Sequence, residues 1–199
     1  MPTPTQKLEK KLHKKGYRYI AGIDEVGRGS VAGPLVAAAV ILPNNFKIKG
    51  LKDSKALSQT AREKFFLIIT KKALSWSVGK VSERVIDHLG ILAANKLAFT
   101  RAIKKLAIKP DYLIFDGVRI LQPKTPHEFV IAGDTKIYSV AAASIIAKVV
   151  RDMIMVRYHQ DDPKYKFHQH KGYGTKNHLN IVKKNGPSTY HRLSFLSHL

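Results

Sequence analysis

Short apolar runs that end next to a carboxylate recur along this chain, and they constrain its fold more than any other feature. The runs of this form are residues 18–23 before Asp24 and Glu25, 112–115 before Asp116, and 129–131 before Asp134. Buried strands of an α/β sheet have this apolar character. Because ligand sites of such sheets lie at the ends of strands, the pattern predicts that these carboxylates meet at one edge of a sheet.

Helical patterns alternate with the predicted strands. We predict further strands at 35–42 and 76–81, and helices at 60–72, 82–90, 91–107 and 138–158. Thr60 and Glu63 have the spacing of a capping box at the start of the 60–72 helix. Pro110 stops the 91–107 helix. The alternation predicts an α/β fold in a single domain, residues 1–199, whose C-terminal segment from about residue 163 is basic and binds substrate.

The charge of the chain indicates its partner. There are 35 Lys and Arg against 14 Asp and Glu, a net charge of +21 over 199 residues. Binding of a polyanion releases counterions, so a basic surface favours nucleic acid. A basic surface kept only for solubility is disfavoured, because so large a charge repels itself. The lysine-rich residues 7–15 predict a solvated, partly helical segment with nonspecific affinity for DNA.

The composition also indicates the compartment. The absence of cysteine excludes disulfides and thiolate metal sites, and it fits a reducing environment. The basic N-terminus is not followed by the apolar stretch of a signal peptide. The longest apolar run, residues 35–42, is far shorter than the roughly 20 residues of a membrane span. We therefore expect a soluble, cytoplasmic protein with no membrane contact.

The predicted cluster of carboxylates favours a metal site. Carboxylates gathered at one point repel each other and bind protons unless a cation holds them. Ligands that are all oxygen favour Mg²⁺ or Mn²⁺ over zinc, and a pair of such ions can hydrolyse a phosphodiester. Asp152 is a further candidate, because it lies in the apolar stripe of the 138–158 helix, where an unpaired charge is costly.

Each acid also has a purely structural interpretation. Asp134 could cap the helix that follows it, and Asp116 precedes a glycine as in ordinary turns. Asp152 could pair with Lys148 one helical turn earlier. Asp24 and Glu25 could be surface charges beside a turn. The coincidence of these acids at strand ends in a very basic chain favours the metal site.

Other reactive side chains carry weaker signals. Six of the nine histidines lie between residues 159 and 198. A zinc site made by His168, His170 and His178 is conceivable, although contacts to phosphate or to backbone are favoured because the chain has no thiolate. Ser30 and Ser144 lack the Ser/His/Asp arrangement that would mark a covalent nucleophile.

Eight sequence motifs together resemble one known family. In chain order they are residues 22–29 (GIDEVGRG), 32–34 (AGP), 51–55 (LKDSK), 115–117 (FDG), 133–134 (GD), 141–152 (AAASIIAKVVRD), 170–175 (HKGYGT) and 191–192 (HR). They cover nearly the whole chain and resemble, in the same order, the type 2 ribonucleases H, the ribonuclease HII family.

The resemblance implies a fold and an activity. The fold is ribonuclease H-like, with a five-stranded mixed central sheet flanked by helices and a basic helical C-terminal segment. The activity is hydrolysis of the RNA strand of RNA–DNA hybrids, together with nicking on the 5′ side of single ribonucleotides in duplex DNA. Such cleavage leaves 3′-hydroxyl and 5′-phosphate ends and starts ribonucleotide removal in DNA repair and replication.

The resemblance also assigns roles to residues. The metal-binding catalytic carboxylates, for two Mn²⁺ or Mg²⁺ ions, are Asp24, Glu25, Asp116 and Asp134, with Asp152 as an auxiliary acid. The loop that senses the ribose 2′-hydroxyl, mainly through its backbone, is Gly27, Arg28 and Gly29. The ring of Tyr173 packs on the deoxyribose that follows the ribonucleotide. The phosphate contacts are Lys52, Ser54 and Lys55.

Two positions depart from the family pattern, and alternatives stay open. Ala132 stands where a lysine is expected, which bears on a nearby phosphate contact, and Thr135 replaces a serine or alanine. Type 3 enzymes carry an N-terminal substrate-binding domain, whereas 17 residues precede the first predicted strand here, which favours type 2. A resolvase with the same fold and a nonenzymatic nucleic-acid-binding protein are further alternatives. We expect the protein to act as a monomer.

Overall fold

A mixed five-stranded sheet forms the centre of the computed structural model, which describes residues 3–48, 50–51, 54 and 57–197. Its strands are β1 (Ile20–Val26), β2 (Leu35–Ile41), β3 (Ser75–Val81), β4 (Tyr112–Asp116) and β5 (His127–Val130). They lie in the order β3-β2-β1-β4-β5. β2 runs antiparallel to both of its neighbours, whereas β1, β4 and β5 are parallel. The predicted α/β class and mixed sheet are confirmed.

Helices cover both faces of this sheet. They are α1 (Lys7–Lys14), α2 (Gln59–Lys72), α3 (Glu83–Leu89), α4 (Ile91–Lys104), α5 (Gly133–Lys136), α6 (Tyr138–Asp161), α7 (Phe167–His170) and α8 (Lys176–Asn185). α3 and α4 pack on one face of the sheet, and α2 and α6 pack on the other. All seven residues of β2 are buried, as its apolar sequence predicts for a strand covered on both sides.

The close approach of α6 to β1 depends on a glycine. A methyl group at Gly22 would overlap the backbone of Ser139 and Val140, at the start of α6. The absence of a side chain therefore lets the helix lie directly on the strand. Farther along both elements, this contact brings Ser144 within hydrogen-bonding reach of Asp24.

Some element boundaries differ from the predicted ones. Ser58, and not Thr60, is the N-cap of α2, and its side chain accepts a hydrogen bond from Ala61 N. α4 ends at Lys104, three residues before the predicted end. β1 continues to Val26 because its pairing with β2 extends to Val36. Asp24 and Glu25 therefore belong to the strand itself, within its last three residues.

The basic N-terminal segment forms α1 and is fixed to the start of α6. Glu9 Oε1 accepts hydrogen bonds from Ser139 N at 2.9 Å and from Ser139 Oγ at 3.0 Å, and Leu12 is buried. The lysines of this helix stay exposed. Within the described part of the chain, the structure contains no helix whose length and hydropathy suit a membrane crossing.

Candidate active site

The pairing register of β1 and β4 places Asp24 beside Asp116. The two strands are parallel, and Ile23 is the partner of Phe115, so the next residues of each strand are neighbours. Ile23 and Phe115 belong to the core on the α4 side. Because side chains alternate along a strand, Asp24 and Asp116 both point to the α6 side.

Asp134 joins these two carboxylates through the turn that follows β5. Ala132 has a left-handed backbone, with φ of 55°, and α5 begins directly after it. The backbone N–H of Gly133 donates a hydrogen bond of 2.6 Å to Asp116 Oδ1. This contact fixes the first turn of α5, which carries Asp134, against the end of β4.

The three aspartates form a compact cluster. One carboxylate oxygen from each of Asp24, Asp116 and Asp134 lies within 4.8 Å of the other two. Asp24 and Asp134 are both only 5% exposed. Burial raises the pKa of Asp24 well above its usual value, and the charges of Glu25 and Asp116 raise it further. Ionised carboxylates so close together require a cation to offset their repulsion.

Glu25 differs from the three aspartates in the face that it occupies. As the residue after Asp24 in an extended strand, it points to the α4 side, where Asn95 lies near it. Arg28 Nη1 lies 3.3 Å from Glu25 Oε1, whereas the buried Oε2 has no hydrogen-bond partner among the described residues. Burial raises the pKa of Glu25, and the Arg28 guanidinium opposes that shift.

Asp152 forms the ion pair that its spacing from Lys148 suggested. Lys148 Nζ lies 2.7 Å from Asp152 Oδ1 on α6, and both side chains are mostly buried. Asp152 is not one of the three residues whose carboxylate oxygens meet. Its assignment as an auxiliary metal ligand stays a prediction, and its pairing with Lys148 is the role that the structure shows.

A buried arginine holds the loop after β1, residues 27–34. Arg151 of α6 is 0% exposed, and its guanidinium donates to the carbonyls of Pro34, Ala32 and Lys171 at 2.8–3.0 Å. Gly27 lies directly over this side chain with φ of 93°, and a methyl group there would overlap Arg151 Nε. The glycine is therefore required both by the backbone conformation and by the contact.

A second buried arginine binds the same loop from the C-terminal segment. Arg192 donates to Gly33 O through Nε and Nη2 and to Arg28 O through Nη1, at 2.7–3.1 Å. The buried carboxylate of Glu83, at the start of α3, lies near enough to Arg151 and Arg192 to stabilise both charges. Hydrogen bonds from Arg151 and Arg192 thus hold the loop that carries Gly27, Arg28 and Gly29 in place.

Tyr173 lies beside this loop. Ser30 and Tyr173 pair as an isolated β-bridge, and Gly172 O accepts hydrogen bonds from Val31 N and Ala32 N. Tyr173 is 37% exposed, and Arg151 Cζ lies 5.4 Å from the centre of its ring. The structure therefore brings together the loop and the tyrosine to which the family resemblance assigns contacts with neighbouring sugars.

Of the three residues predicted to contact phosphate, the structure describes Ser54. Lys52 and Lys55 lie outside the described residues. Ser54 is buried, and its Oγ lies 2.9 Å from Ser144 Oγ. Since Ser144 also bonds Asp24, Ser54 is linked to the carboxylate cluster through that hydroxyl. The phosphate contact of Ser54 stays a prediction.

The histidines do not form the conceivable zinc site. Within the described ranges, the group of acidic or histidine side chains placed to hold a metal ion consists of the three aspartates. Both ring nitrogens of His170 are hydrogen-bonded, to Tyr165 O and Gly172 N. Both ring nitrogens of His178 are also engaged, with Tyr173 O and His191 Nε2. The favoured alternative, contacts to backbone, is what the structure shows for these two rings.

Five residues around the site carry no role predicted from the sequence. They are Ser144, Asn95, Glu83, Arg151 and Arg192. Ser144 was considered only as a nucleophile, and Asn95 carries no local signal. The two arginines lie inside motifs that resemble the family, and Arg151 interrupts an apolar helix, which is the signal that could have identified it.

Comparison with known proteins identifies the family. The family model for ribonuclease HII matches residues 21–198. Ribonuclease HII of Caldicellulosiruptor bescii is 46% identical over 96% of this chain and 93% of its own length. Ribonuclease HII of Bacillus thuringiensis is 50% identical over 95% of this chain and 73% of its own.

A solved structure agrees with these sequence relationships. The crystal structure of ribonuclease H2 from Pyrococcus horikoshii superposes with a TM-score of 0.73 at 28% identity, covering 88% of this chain and 93% of the other. The shared architecture is the ribonuclease H-like fold that the motifs implied. The relatives are enzymes by name, which excludes the alternative of a nonenzymatic binding protein. The chain belongs to the ribonuclease HII family and is a ribonuclease H endonuclease that acts on RNA–DNA substrates.

Proposed function

We propose that the protein nicks duplex DNA on the 5′ side of single embedded ribonucleotides, in addition to cutting RNA–DNA hybrids, by two-metal-ion hydrolysis. Its products would carry 3′-hydroxyl and 5′-phosphate ends, and the reaction would start ribonucleotide removal in repair and replication. The observation that carries the proposal is the juxtaposition of the aspartate cluster with the loop 27–34 and Tyr173.

The residues present fit divalent cations. Three carboxylates with oxygens within 4.8 Å of one another supply hard oxygen ligands. Glu25 lies on the other face of β1 from the three aspartates, and its Oε2, buried and without a hydrogen-bond partner among the described residues, makes it a fourth candidate at the end of the same strand. We propose Asp24, Glu25, Asp116 and Asp134 as the ligands of Mg²⁺ or Mn²⁺, with Asp152 as an auxiliary acid.

Bound divalent ions supply an activated water and stabilise the charge on the leaving 3′-oxygen. The protein's own residues hold that chemistry in position. Ser144 orients Asp24 by a hydrogen bond, and Gly133 N–H orients Asp116. These bonds fix carboxylate oxygens that would otherwise rotate, so that the ligands are preorganised before substrate binds.

Substrate selection would come from the loop 27–34 and Tyr173. The 2′-hydroxyl is the group that distinguishes RNA from DNA, and backbone atoms at Gly27 and Gly29 can approach a sugar closely. The exposed ring of Tyr173 would pack on the next sugar, and this packing would favour a sugar without a 2′-hydroxyl. Since the loop follows Asp24 and Glu25 directly, recognition of the ribose and cleavage next to it are geometrically coupled.

The basic surface would hold the duplex as a whole. The net charge of +21 favours nonspecific contacts to phosphates, to which the predicted contacts of Lys52, Ser54 and Lys55 would add. We also propose that the chain acts as a monomer and as one domain, because a single sheet and the helix that follows its strand β5 carry all three clustered aspartates.

The test is cleavage of three labelled duplexes in Mn²⁺ and in Mg²⁺: DNA with one ribonucleotide, a long RNA–DNA hybrid, and DNA alone. We expect a single nick on the 5′ side of the ribonucleotide, multiple cuts in the hybrid and none in DNA. Ligation of the products reports their ends. Cutting of the hybrid without cutting at the single ribonucleotide would contradict the junction specificity and leave the family activity intact.

A further inference from the structure

Two buried histidines form a hydrogen-bonded chain that ends on the backbone of Tyr173. Ser188 N–H lies 2.9 Å from His191 Nδ1, and the two Nε2 atoms of His191 and His178 are 3.0 Å apart. His178 Nδ1 then lies 2.9 Å from Tyr173 O. The chain thus connects the turn before His191 with the tyrosine beside the loop 27–34.

The groups at the two ends of this hydrogen-bonded chain, Ser188 and Tyr173 O, determine which ring nitrogens of the two histidines carry a proton. Two groups of Ser188 lie at His191 Nδ1, the backbone N–H at 2.9 Å and Oγ at 2.8 Å. A backbone N–H can only donate, whereas the hydroxyl can also act as a donor, so His191 Nδ1 accepts from Ser188 and the ring proton resides on Nε2. A backbone carbonyl can only accept, so His178 Nδ1 donates to Tyr173 and its Nε2 accepts from His191. Only two neutral rings in these tautomers satisfy all of the bonds, and an added proton on either ring would place two donors face to face.

Burial agrees with this arrangement. His178 is 0% exposed and His191 is 3% exposed. Burial lowers the pKa of each ring to about 4. The ring of His170 stacks on His178 with centres 3.8 Å apart, while its own nitrogens bind Tyr165 O and Gly172 N. The segment around Tyr173 is therefore held at Gly172 by His170 and at Tyr173 by His178.

The position of this segment decides where the tyrosine ring lies. Tyr173 pairs with Ser30, and Gly172 O accepts from Val31 N and Ala32 N, so one short stretch of backbone connects the histidines to the loop 27–34. Besides His178, Tyr173 O accepts a hydrogen bond of 2.8 Å from Thr175 N. Loss of His178 would leave the carbonyl with this local bond, which does not tie the segment to the C-terminal residues.

We propose that His178 and His191 are positioning residues for substrate selection: as a neutral pair they hold the Tyr173 carbonyl and thereby set the ring against the sugar next to the ribonucleotide. This inference rests on the role proposed above for Tyr173. It assigns the two histidines neither a metal nor a proton-transfer step, and it makes the preference for DNA-flanked ribonucleotides depend on their hydrogen bonds.

The test uses pairs of variants that keep or remove the donors. Asn at position 178 retains a donor near the place of Nδ1, and Gln at position 191 retains one near Nε2, whereas Leu retains neither. We expect His178→Leu and His191→Leu to raise KM for DNA containing one ribonucleotide by about tenfold, the effect of one lost hydrogen bond. kcat and the kinetics on long hybrids should change little, and His178→Asn and His191→Gln should recover most of the loss.

Val182→Ala is the matched control, because Val182 is a buried apolar residue one turn after His178 on α8. It should lower stability without changing the preference between the two substrates. Equal losses on both substrates in the Leu variants, or a preference shift in Val182→Ala as large as theirs, would overturn the positioning role. Tyr173→Ala is measured alongside: if it shifts the preference and the Leu variants do not, the inference fails while the role of Tyr173 stands.

A spectroscopic measurement on the wild-type enzyme keeps the inference testable even if a Leu variant fails to fold. Imidazole ¹⁵N shifts should report a proton on Nδ1 of His178 and on Nε2 of His191 at neutral pH. The opposite tautomers, or a charged ring on either residue, would overturn the inference. An unchanged preference in Tyr173→Ala would instead contradict the proposed junction role of the tyrosine, whatever the tautomers.

Discussion

Asp116 Oδ1 accepts a hydrogen bond of 2.6 Å from the backbone N–H of Gly133. This single bond joins the end of β4 to the start of α5, and it brings Asp134 to the two aspartates that the strand register has already paired. The third carboxylate is thus fixed by a backbone contact to the second. Because the contact uses a main-chain donor, it does not depend on the side chain of residue 133, although that residue must approach Asp116 closely.

Asp24→Asn separates stability from activity. The raised pKa of Asp24 reflects burial and repulsion by neighbouring carboxylates, both of which an amide avoids, and Asn can still accept the hydrogen bond from Glu25 N. Without metal at neutral pH the variant should melt about 2–4 °C higher for each kcal/mol of repulsion removed. Its cleavage rate should fall by more than about 100-fold. Loss of a residue that only orients a metal ligand costs up to about 100-fold, and loss of a ligand itself should cost more.

Calorimetry and the cleavage assay measure the two effects on the same preparations. Mn²⁺ should raise the melting temperature of the wild-type protein and have a much smaller effect on Asp24→Asn, since ligand binding stabilises the folded state. A variant that is less stable than wild type without metal, or that cleaves at a near wild-type rate, would contradict the assignment of Asp24.

Arg151→Met tests the support of the loop 27–34. The change leaves the buried carbonyls of Pro34 and Ala32 and the partly buried carbonyl of Lys171 without this donor, and each unsatisfied buried group costs about 1–3 kcal/mol. We expect the free energy of unfolding in urea to fall by at least about 2 kcal/mol. Arg151→Lys should recover only part of the loss, because an ammonium lacks the planar fork of a guanidinium.

Arg157→Met is the matched control on the same helix, because Arg157 is an exposed arginine. Substitutions of exposed side chains usually change the free energy of unfolding by about 0.5 kcal/mol or less. If Arg151→Met were no more destabilising than Arg157→Met, the buried arginine would not be the main support of the loop.

The histidine pair predicts a stability loss in mild acid. The folded pKa of His178 and His191 is about 4, below the usual 6.5, so the unfolded chain binds protons first as the pH falls. Their contribution is fully present above about pH 6.5 and declines toward pH 4, by up to about 1.4 kcal/mol per pH unit for each ring. The comparison is urea unfolding of wild type and of a His178→Asn, His191→Gln double variant across this range.

The difference between the two proteins isolates the histidines, because the carboxylates with raised pKa values are common to both. The wild type should lose stability relative to the double variant as the pH decreases from about 6.5 to about 4. A difference that stays constant over this range would mean that the rings titrate normally in the folded protein.

Salt should weaken substrate binding strongly. A basic chain that neutralises several phosphates releases counterions, and raising monovalent salt from about 50 mM to about 200 mM should raise Kd for a duplex by at least tenfold. Fluorescence anisotropy in Ca²⁺, with no turnover, would report this dependence. A Kd that hardly changes with salt would refute the phosphate-dominated binding that the charge of the chain implies.

Local patterns were sufficient to predict much of the architecture. Apolar runs at 35–42 and 112–115 became buried strands, and the predicted helix from residue 91 packs Ala94, Ala98 and Ala102 on the sheet. Helix ends were less predictable, since Ser58 and Thr60 are both good N-cap residues and only the tertiary path of the chain decides between them.

The site was predictable in its acids and not in its supports. Asp24, Asp116 and Asp134 end apolar runs, and their meeting follows from parallel strands. That Glu25 points to the opposite face follows from strand alternation only once β1 is known to extend to Val26. The roles of Arg151 and Arg192 depend on which carbonyls the folded chain leaves buried, and no local pattern encodes that.

The central claim is that divalent ions held by the aspartate cluster cut DNA at an embedded ribonucleotide. The most direct measurement is the nicking rate on a duplex with one ribonucleotide, using chelator-treated enzyme as Mn²⁺ is restored, for wild type and Asp134→Asn. We predict no nicking without metal, full recovery with Mn²⁺ in the wild type, and no recovery in the folded variant. Nicking by the metal-free wild type, or by Asp134→Asn at the wild-type rate, would contradict the claim.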